Sequence, residues 1–433
     1  DDLAGGIPWL AFGDAASAAG DALQIGDLTR PHRDRLREAF VLWLGGINAN
    51  NASPEWWAHN TSSKNLLASR IGNAIFELLA LRLLLQDRGV ARVGIVGASA
   101  AQAETIRRMA AASGGTLRVT QAGAAPRATR ISMPRLVARA ARTLVEWAMW
   151  LRPARDKGQA EVRLVTYVDA ELREGTDPFF GPLAAHLAAH DPPLSCMHHA
   201  WVQGAPSEVV PRLRASARFR YSPLLAELSP GDILGALRGA VAAGRRVGRW
   251  PAPETLEGLD LEPLLRESLR EDVADGNYFA VLLIHRAARR LAMRTHPPLV
   301  VYPYENKSLE KLLLMGLREG HPGVRIVGYQ HTSVTPRHTT LLFAPGEAGR
   351  TPLPDRVVTV GGVTRSWLEA LGHYPAGLLV EGFALRQATR NAPERRKPAP
   401  GEGARVLFVL SSSIGELVQA ALWMLEAARL EPS

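Results

Sequence analysis

The feature that most constrains the fold of this chain is a repeated alternation of short apolar segments with helical segments. Each apolar segment is rich in Val and Ile, ends at a glycine or polar turn, and is followed by residues with helical spacing. Strands buried on both faces are apolar along their whole length, and their alternation with helices is typical of parallel βαβ units. The predicted strands cover residues 93–96, 117–120, 162–167, 299–302, 325–329, 357–360, 378–380 and 406–410.

Helices are predicted between these strands, where apolar residues recur three or four positions apart. They cover residues 65–86, 102–112, 261–295 and 309–318, and the third ends before the prolines at 297–298 because proline removes a backbone donor. A chain of 433 residues exceeds the usual size of one domain. We therefore predict an α/β protein whose first lobe, residues 1–386, is a doubly wound, Rossmann-like sheet with helical insertions.

A change of composition at residues 387–404 predicts a linker, because this segment is polar, proline-rich and without apolar periodicity. The strand, turn and helix that follow predict the start of a second Rossmann-like lobe at 405–433. Backbone N–H groups in its turn are candidates to bind a nucleotide phosphate, at Ser411, Ser412, Ser413 and Gly415. One βα unit cannot bury its own faces, and the chain opens without Met, so we expect an excerpt in which this second lobe is truncated.

The composition of the chain limits which cellular compartment and which partners are expected. A single cysteine, Cys196, rules out an internal disulfide and a Cys-rich metal site, and fits a reducing, cytoplasmic compartment. The sequence contains no run of about 20 apolar residues, so a membrane-spanning helix is not predicted. The net charge of +9 favours anionic partners such as a nucleotide, a lipid phosphate or an anionic leaflet, although a GC-rich genome explains the excess of Arg over Lys more simply.

Arginines alternate with apolar residues, including two tryptophans, in the tract at 133–155. One interpretation is a basic amphipathic helix that lies on the inner face of the cell membrane. The other is an ordinary surface helix that packs on the core.

A polar cluster follows the strand predicted at 299–302. Ligands of open α/β sheets bind at the carboxyl ends of strands, near positively polarised helix N-termini. Glu305 therefore lies where active sites form and could act as a general base toward an acceptor hydroxyl; the alternative is a carboxylate that only caps the next helix. Further candidate substrate contacts are Tyr304, Asn306 and Lys307, although Lys307 and Lys311 are of a type that is more often solvated.

A histidine, His331, follows the next strand, at 325–329, one βα unit later. It could bind a phosphate or a sugar hydroxyl, or carry a proton near neutral pH, as a histidine does readily. The alternative is a hydrogen-bonded structural residue. Its neighbour Gln330 is a candidate substrate contact for the same reason of position.

Aromatic and polar residues are interleaved at 56–65, just before a predicted helix. Aromatic rings suit the faces of sugars and polar neighbours suit their hydroxyls, so Trp57, Lys64 and Asn65 are candidate substrate contacts. The alternative is that both tryptophans anchor the N-terminal helix while a serine caps the next one.

Other motifs are incomplete. The glycines at 94–97 lack the third glycine of a dinucleotide fingerprint, and the histidines at 198–199 lack the second ligand pair of a zinc site. The chain has neither a GxSxG elbow nor a GxxxxGKS loop, and it carries no motif that recognises nucleic acid.

Three strings together resemble a family of bacterial surface-carbohydrate biosynthesis proteins: WWAHNTSSKNLLAS at 56–69, YPYENKSLEK at 302–311 and VGYQHTSVTP at 327–336. The members look like GT-B glycosyltransferases that act on O-antigen and capsule, with two Rossmann-like lobes and a nucleotide sugar between them. The similarity runs from about Trp56 to the end of the chain.

This resemblance implies that the present lobe holds the acceptor and that the second lobe holds most of the nucleotide sugar. Glu305, Asn306 and His331 would face the cleft, and Ser411 to Gly415 would form the first donor-side turn. GT-B enzymes typically need no bound metal or separate cofactor, because basic groups and helix ends stabilise the leaving phosphate.

The leading hypothesis is therefore transfer of a sugar from a nucleotide donor to a hydroxyl of a lipid-linked or growing glycan at the cytoplasmic membrane face. Two alternatives stay open. One is a non-catalytic glycan-binding or assembly protein that uses the same cleft, and the other is a nucleotide-sugar epimerase.

Overall fold

The computed structural model describes most of the chain. The described residues are 9–12, 23, 25–66, 69–87, 92–112, 118–122, 131–150, 160–168, 177–202, 208–209, 221–250, 255–385, 421–426 and 429. Their contacts divide the chain into two units, Asp1–Thr389 and Arg390–Ser433. In the second unit, residues 421–426 are helical. The linker predicted at 387–404 and the strand predicted at 406–410 lie outside the described residues, so a truncated second lobe stays a prediction.

Ten strands in the described part of the chain form two parallel sheets. The smaller sheet holds β1 (Trp9–Ala11), β2 (Arg92–Val96) and β3 (Arg118–Ala122) in that order. The larger sheet holds β4 (Val162–Val168), β5 (Cys196–Val202), β6 (Tyr221–Pro223), β7 (Leu299–Pro303), β8 (Arg325–Tyr329), β9 (Arg356–Thr359) and β10 (Leu379–Glu381).

The order of the larger sheet is β10-β9-β8-β7-β4-β5-β6, and every neighbouring pair is parallel. The chain enters this sheet in the middle, fills one side with β5 and β6, and then returns to fill the other side from β7 to β10. This is the strand order of Rossmann-like sheets, with one strand added, and its direction of winding switches between β4 and β7. A Rossmann-like α/β architecture is thus confirmed.

The α-helices of the described residues are α1 (Ile25–Thr29), α2 (Arg33–Asn50), α3 (Pro54–Trp57), α4 (Ile71–Asp87), α5 (Ala100–Ala112), α6 (Met133–Trp150), α7 (Leu183–Ala188), α8 (Pro230–Arg246), α9 (Glu262–Ala274), α10 (Asn277–Thr295), α11 (Ser308–Gly320) and α12 (Gly362–Leu371). None of the helices that the structure describes is both long enough and apolar enough to cross a bilayer.

The strands predicted at 93–96 and 117–120 belong to the smaller sheet, which the sequence did not separate from the larger one. Three strands were not predicted. β1 and β6 have three residues each, and β5 carries the buried pair His198 and His199 in the middle of what would otherwise be an apolar run. Short length and buried polar residues both remove the signal that marks a strand.

The single helix predicted at 261–295 is wrong, because two helices, α9 and α10, occupy this tract. The break lies at Gly276, whose φ of 74° is left-handed and is readily adopted by glycine. A Cβ at Gly276 would lie 2.4 Å from the guanidinium of Arg139, so the bend also makes room for helix α6. The continuous helical periodicity on both sides of the break conceals it in the sequence.

Helices α10 and α11 pack closely because two glycines of α11 face the backbone of α10. A Cβ at Gly316 would lie 2.2 Å from the carbonyl oxygen of His285, and one at Gly320 would lie 2.3 Å from that of Arg289. Since α11 begins just after β7, this contact fixes the helix that starts at the carboxyl end of the sheet.

Candidate functional site

The site predicted from the sequence lies beside the switch between β4 and β7. In open α/β sheets, ligands bind in the crevice outside the carboxyl ends of the strands at such a switch. The loop 304–307 follows β7, Gln330 and His331 follow β8, and Phe179 belongs to the segment after β4. The three chain segments meet here, so the position satisfies the geometric rule for a ligand site.

The loop that carries Glu305 is held in one conformation by two neighbours. The buried carboxyl group of Glu310 accepts hydrogen bonds from the backbone N–H groups of Glu305 (2.9 Å) and Asn306 (2.7 Å). Asn306 has a φ of 58°, a left-handed conformation that asparagine tolerates, and its Nδ2 donates to the carbonyl oxygen of Thr340 at 2.6 Å. Glu305 is therefore positioned before any ligand binds.

Glu305 contacts two cationic or ionisable groups. Its Oε1 lies 3.2 Å from Nε2 of His331, and its other oxygen forms an ion pair with Lys307. Burial acts to raise the pKa of Glu305, but the hydrogen bond from His331 and the charge of Lys307 outweigh it, and the pKa falls to about 2. The side chain keeps 27% of its surface exposed, so the carboxylate is ionised, oriented and open to solvent.

His331 is buried against an aromatic ring. Phe179 meets it edge to face, with ring centroids 4.8 Å apart. Because Nε2 faces a carboxylate, we place the proton of the neutral ring on Nε2, which leaves Nδ1 as a hydrogen-bond acceptor. Nδ1 of His331 and Oδ1 of Asn306 are both buried and have no hydrogen-bond partner among the described residues. Such orphaned acceptors point to donors that a ligand or water supplies.

Glu310 is a second acid at the site, and its environment differs from that of Glu305. Burial raises the pKa of Glu310 most, the nearby charge of Glu305 raises it further, and the pKa reaches about 8 in spite of the two backbone N–H groups. Glu305 and Glu310 are thus neighbouring carboxyl groups whose pKa values differ widely. Such a difference often marks functional sites.

The motif at 56–65 forms a buried polar layer beneath the site. Trp57 lies in the core, with Nζ of Lys311 4.6 Å from the centroid of one of its rings. The same Nζ donates to the carbonyl oxygen of Ser62 at 3.1 Å. The expectation that Lys311 is solvated is wrong, because its long side chain is enclosed between this layer and α11. Burial first, and the positive charge of Lys64 next, lower the pKa of Lys311 to about 7.

Lys64 is also buried, and it forms an ion pair with the buried carboxylate of Glu347. Glu347 further accepts a hydrogen bond from the backbone N–H of Ala344 at 2.8 Å. Burial dominates the pKa of Lys64 and lowers it, although the charge of Glu347 acts in the opposite direction. A buried charge of this kind persists only when it is paired.

Three hydrogen bonds join residues 60–64 of this buried polar layer to the site. Ser308 Oγ donates to Oδ1 of Asn60 at 2.7 Å, Thr339 Oγ1 donates to the carbonyl oxygen of Lys64 at 2.6 Å, and Lys311 contacts Ser62 as described. The neighbouring Thr340 holds Asn306. The three strings on which the family resemblance rests are thus adjacent in space.

The predicted site residues therefore divide into two groups. Glu305, Lys307 and His331 form one cluster at the carboxyl ends of β7 and β8. The others lie beneath or beside it: the Tyr304 hydroxyl lies 3.3 Å from that of Tyr374, Gln330 accepts from the N–H of Val360 at 3.4 Å, and Asn65 is half-buried. That Trp57, Lys64, Asn65, Tyr304 and Gln330 contact a substrate stays a prediction. The donor-side residues Ser411, Ser412, Ser413 and Gly415 lie outside the described residues.

Sequence reasoning missed Glu310, Phe179 and Glu347. Glu310 had a signal, since it is an acid in the first turn of α11 and could reach back to the preceding backbone. Phe179 and Glu347 had none, because their partners lie far away in the sequence. In the ranges that the structure describes, no group of three or more His, Cys, Asp or Glu side chains could hold a metal ion.

Comparison of the chain with models of protein families found no match, and comparisons with curated proteins and with solved structures found none either.

Proposed function

We propose that this chain belongs to a glycosyltransferase of the GT-B type, which transfers a sugar from a nucleotide sugar to a hydroxyl of a lipid-linked or growing surface polysaccharide. The observation that carries the proposal is the contact between Glu305 and His331, 3.2 Å apart at the carboxyl ends of adjacent strands and beside the switch in strand order. Both residues belong to the strings that resemble the surface-carbohydrate family.

Within this proposal His331 is the general base and Glu305 positions it. A carboxylate with a pKa of about 2 accepts a proton poorly at neutral pH, which argues against the direct role first predicted for Glu305. The same carboxylate fixes the Nε2 proton of His331 and stabilises the imidazolium that forms when Nδ1 takes a proton. Nδ1 has no competing partner among the described side chains.

The reaction then proceeds by substitution at the anomeric carbon. The acceptor oxygen forms a bond to that carbon, the bond from the carbon to the phosphate oxygen breaks, and the nucleotide leaves with the electron pair. The acceptor proton goes to Nδ1 of His331. Lys307 supplies positive charge beside this site, and the donor phosphates are assigned to the second lobe, as the resemblance implies.

A second candidate is a protein that binds a glycan in this cleft without reaction. One observation favours it: the carboxylate of Glu305 is already neutralised by Lys307 and His331, as in a structural ion-pair network.

The test replaces Glu305 by Gln in the full-length protein and uses Glu369→Gln as the matched control, because Glu369 forms an exposed ion pair with Arg365 on α12. A panel of nucleotide sugars is first screened by thermal shift, and transfer and donor turnover are then measured. For the transferase, E305Q lowers kcat by about 10²-fold or more, and E369Q leaves it unchanged.

Unchanged turnover in E305Q contradicts the proposal, and so does a panel in which no nucleotide sugar shifts the melting temperature. Glycan binding without turnover in the wild type supports the binding protein. Conversion of the donor in the absence of an acceptor supports an epimerase.

A further inference from the structure

Helix α6 has three faces that differ in burial and charge. Successive residues of a helix are about 100° apart around its axis, so the position of each residue in the sequence gives the face on which it lies. Leu136, Ala140 and Thr143 are buried on the inner face, and Trp147 lies on the same side. The indole Nε1 of Trp147 donates to the carbonyl oxygen of Leu228 at 2.8 Å. This face anchors α6 to the core.

A second face is apolar and exposed. We call it the outer apolar stripe, and it consists of Met133, Val137, Ala141, Val145 and Ala148. The three large residues are 43%, 50% and 61% exposed, respectively. At helical spacing the stripe covers an arc of about 120°. A continuous exposed stripe of this kind marks an interaction surface more often than scattered apolar residues do.

The third face is basic and borders the stripe. It carries Arg135, Arg139 and Arg142, which are all exposed, and Glu146, which is ion-paired with Arg142 at 2.8 Å. Glu146 is the only acidic residue between Met133 and Trp150, so the helix carries a net positive charge. No acidic residue lies in the stripe itself.

We propose that α6 docks on an anionic lipid bilayer. The outer apolar stripe lies in the boundary between headgroups and acyl chains, and Arg135 and Arg142 contact lipid phosphates. An apolar face flanked by arginines is the arrangement by which helices bind the membrane surface without crossing it. The charge of the flanking face selects anionic lipid rather than a second copy of this chain, whose corresponding face is equally basic.

This inference deepens the proposed function, because a lipid-linked acceptor is presented at such a surface, but the test measures binding alone. The full-length protein is sedimented with vesicles of phosphatidylcholine alone or mixed with phosphatidylglycerol. The variants are Val137→Gln with Val145→Gln, and Arg135→Gln with Arg142→Gln. The matched control is Val363→Gln on α12, since Val363 is more exposed than Met133, Val137 or Val145.

We expect binding to the mixed vesicles that weakens with salt, little binding to phosphatidylcholine, and an unchanged V363Q. Each arginine near an anionic surface contributes roughly a five-fold factor in partitioning, so replacing the arginine pair should weaken binding by about twenty-five-fold. The valine pair should also lose most of its binding, with an unchanged circular dichroism spectrum as evidence that it folds.

Wild-type protein that ignores anionic vesicles overturns the inference, and so does a valine pair that binds as the wild type does. A dimer that the valine pair dissociates, without vesicle binding, overturns it in favour of contact between two copies. Loss of sugar transfer with intact vesicle binding, by contrast, refutes only the proposed transferase.

Discussion

Replacing Gly316 by Ala should destabilise the protein, although alanine is the better helix former. Gly316 lies inside α11, where its absent Cβ leaves room for the carbonyl oxygen of His285 at 2.2 Å from the ideal Cβ position and for Cβ of Ala288 at 3.1 Å. The obstructing atom belongs to the backbone of α10 and cannot rotate away. The two helices must therefore separate by about an ångström to reach a normal contact distance.

The magnitude follows from two opposing contributions. Overpacking of a buried contact costs about 1–3 kcal/mol and sometimes more, whereas alanine in place of glycine within a helix contributes about 1 kcal/mol of stabilisation. Because the contact is with backbone, we take the upper part of the first range and expect a net loss of about 2 kcal/mol in the free energy of unfolding.

Gly46 provides the matched control. It also lies within a helix, α2, but an added Cβ would have nothing within 4 Å. Gly46→Ala should therefore stabilise the protein by about 0.5–1 kcal/mol. Urea unfolding followed by tryptophan fluorescence and circular dichroism measures both variants. The reasoning fails if G316A is as stable as the wild type, or if the two variants shift the midpoint in the same direction.

Three further predictions concern ionisable residues at and beneath the site. Glu310→Gln should become progressively more stable relative to the wild type as pH rises from 4.5 to about 8. In this range the folded wild type keeps a proton on Glu310 that the unfolded chain has released, so the wild type loses stability as pH rises. A difference in stability between the two proteins that does not change with pH would contradict the raised pKa. Lys311→Met should be more stable than the wild type at pH 6 and lose that advantage as pH rises through 7 toward 10.5. In this range the folded wild type releases a proton from Lys311 that the unfolded chain keeps, so the wild type gains stability as pH rises. A difference in stability that is constant with pH would contradict this reasoning. The stability that Glu305 contributes should be present above pH 4.5 and be lost as pH falls toward 2, since its folded pKa is lowered; urea unfolding of wild type and E305Q between pH 2 and 7 measures it, and a constant difference would refute it.

The sequence predicted the strands whose signal is local. β7 and β8 are short, continuous apolar runs that end at polar turns, and both lie where they were predicted. β5 was missed because His198 and His199 are buried in it, and such burial depends on partners such as Arg163, which lies 2.9 Å from His199 across the strand pair. The strand propensity of a segment contains no information about a packing partner that is distant in the sequence.

The same distinction holds at the site. Glu305 and His331 could be placed together because each follows a strand and the strands are neighbours in a parallel sheet. The burial of Lys311 and Lys64 could not be predicted, since a lysine is usually solvated and the groups that stabilise these two, among them Trp57, Ser62 and Glu347, are distant in the sequence. The low pKa of Glu305 likewise depends on two neighbours rather than on its position.

The hydrogen bonds that join residues 60–64 to helix α11 and to Thr339 bear on how this protein can be divided. A shortened chain that began at residue 160 would keep all seven strands of the larger sheet, yet it would lose Asn60 as the partner of Ser308 and the Lys64 carbonyl that holds Thr339. Lys311 would lose the Ser62 carbonyl as a partner, Glu347 would lose its ion pair with Lys64, and both side chains would lie on a newly exposed surface. The seven-stranded sheet is therefore not a self-sufficient module, and any excised fragment meant to retain these contacts must start before Trp56.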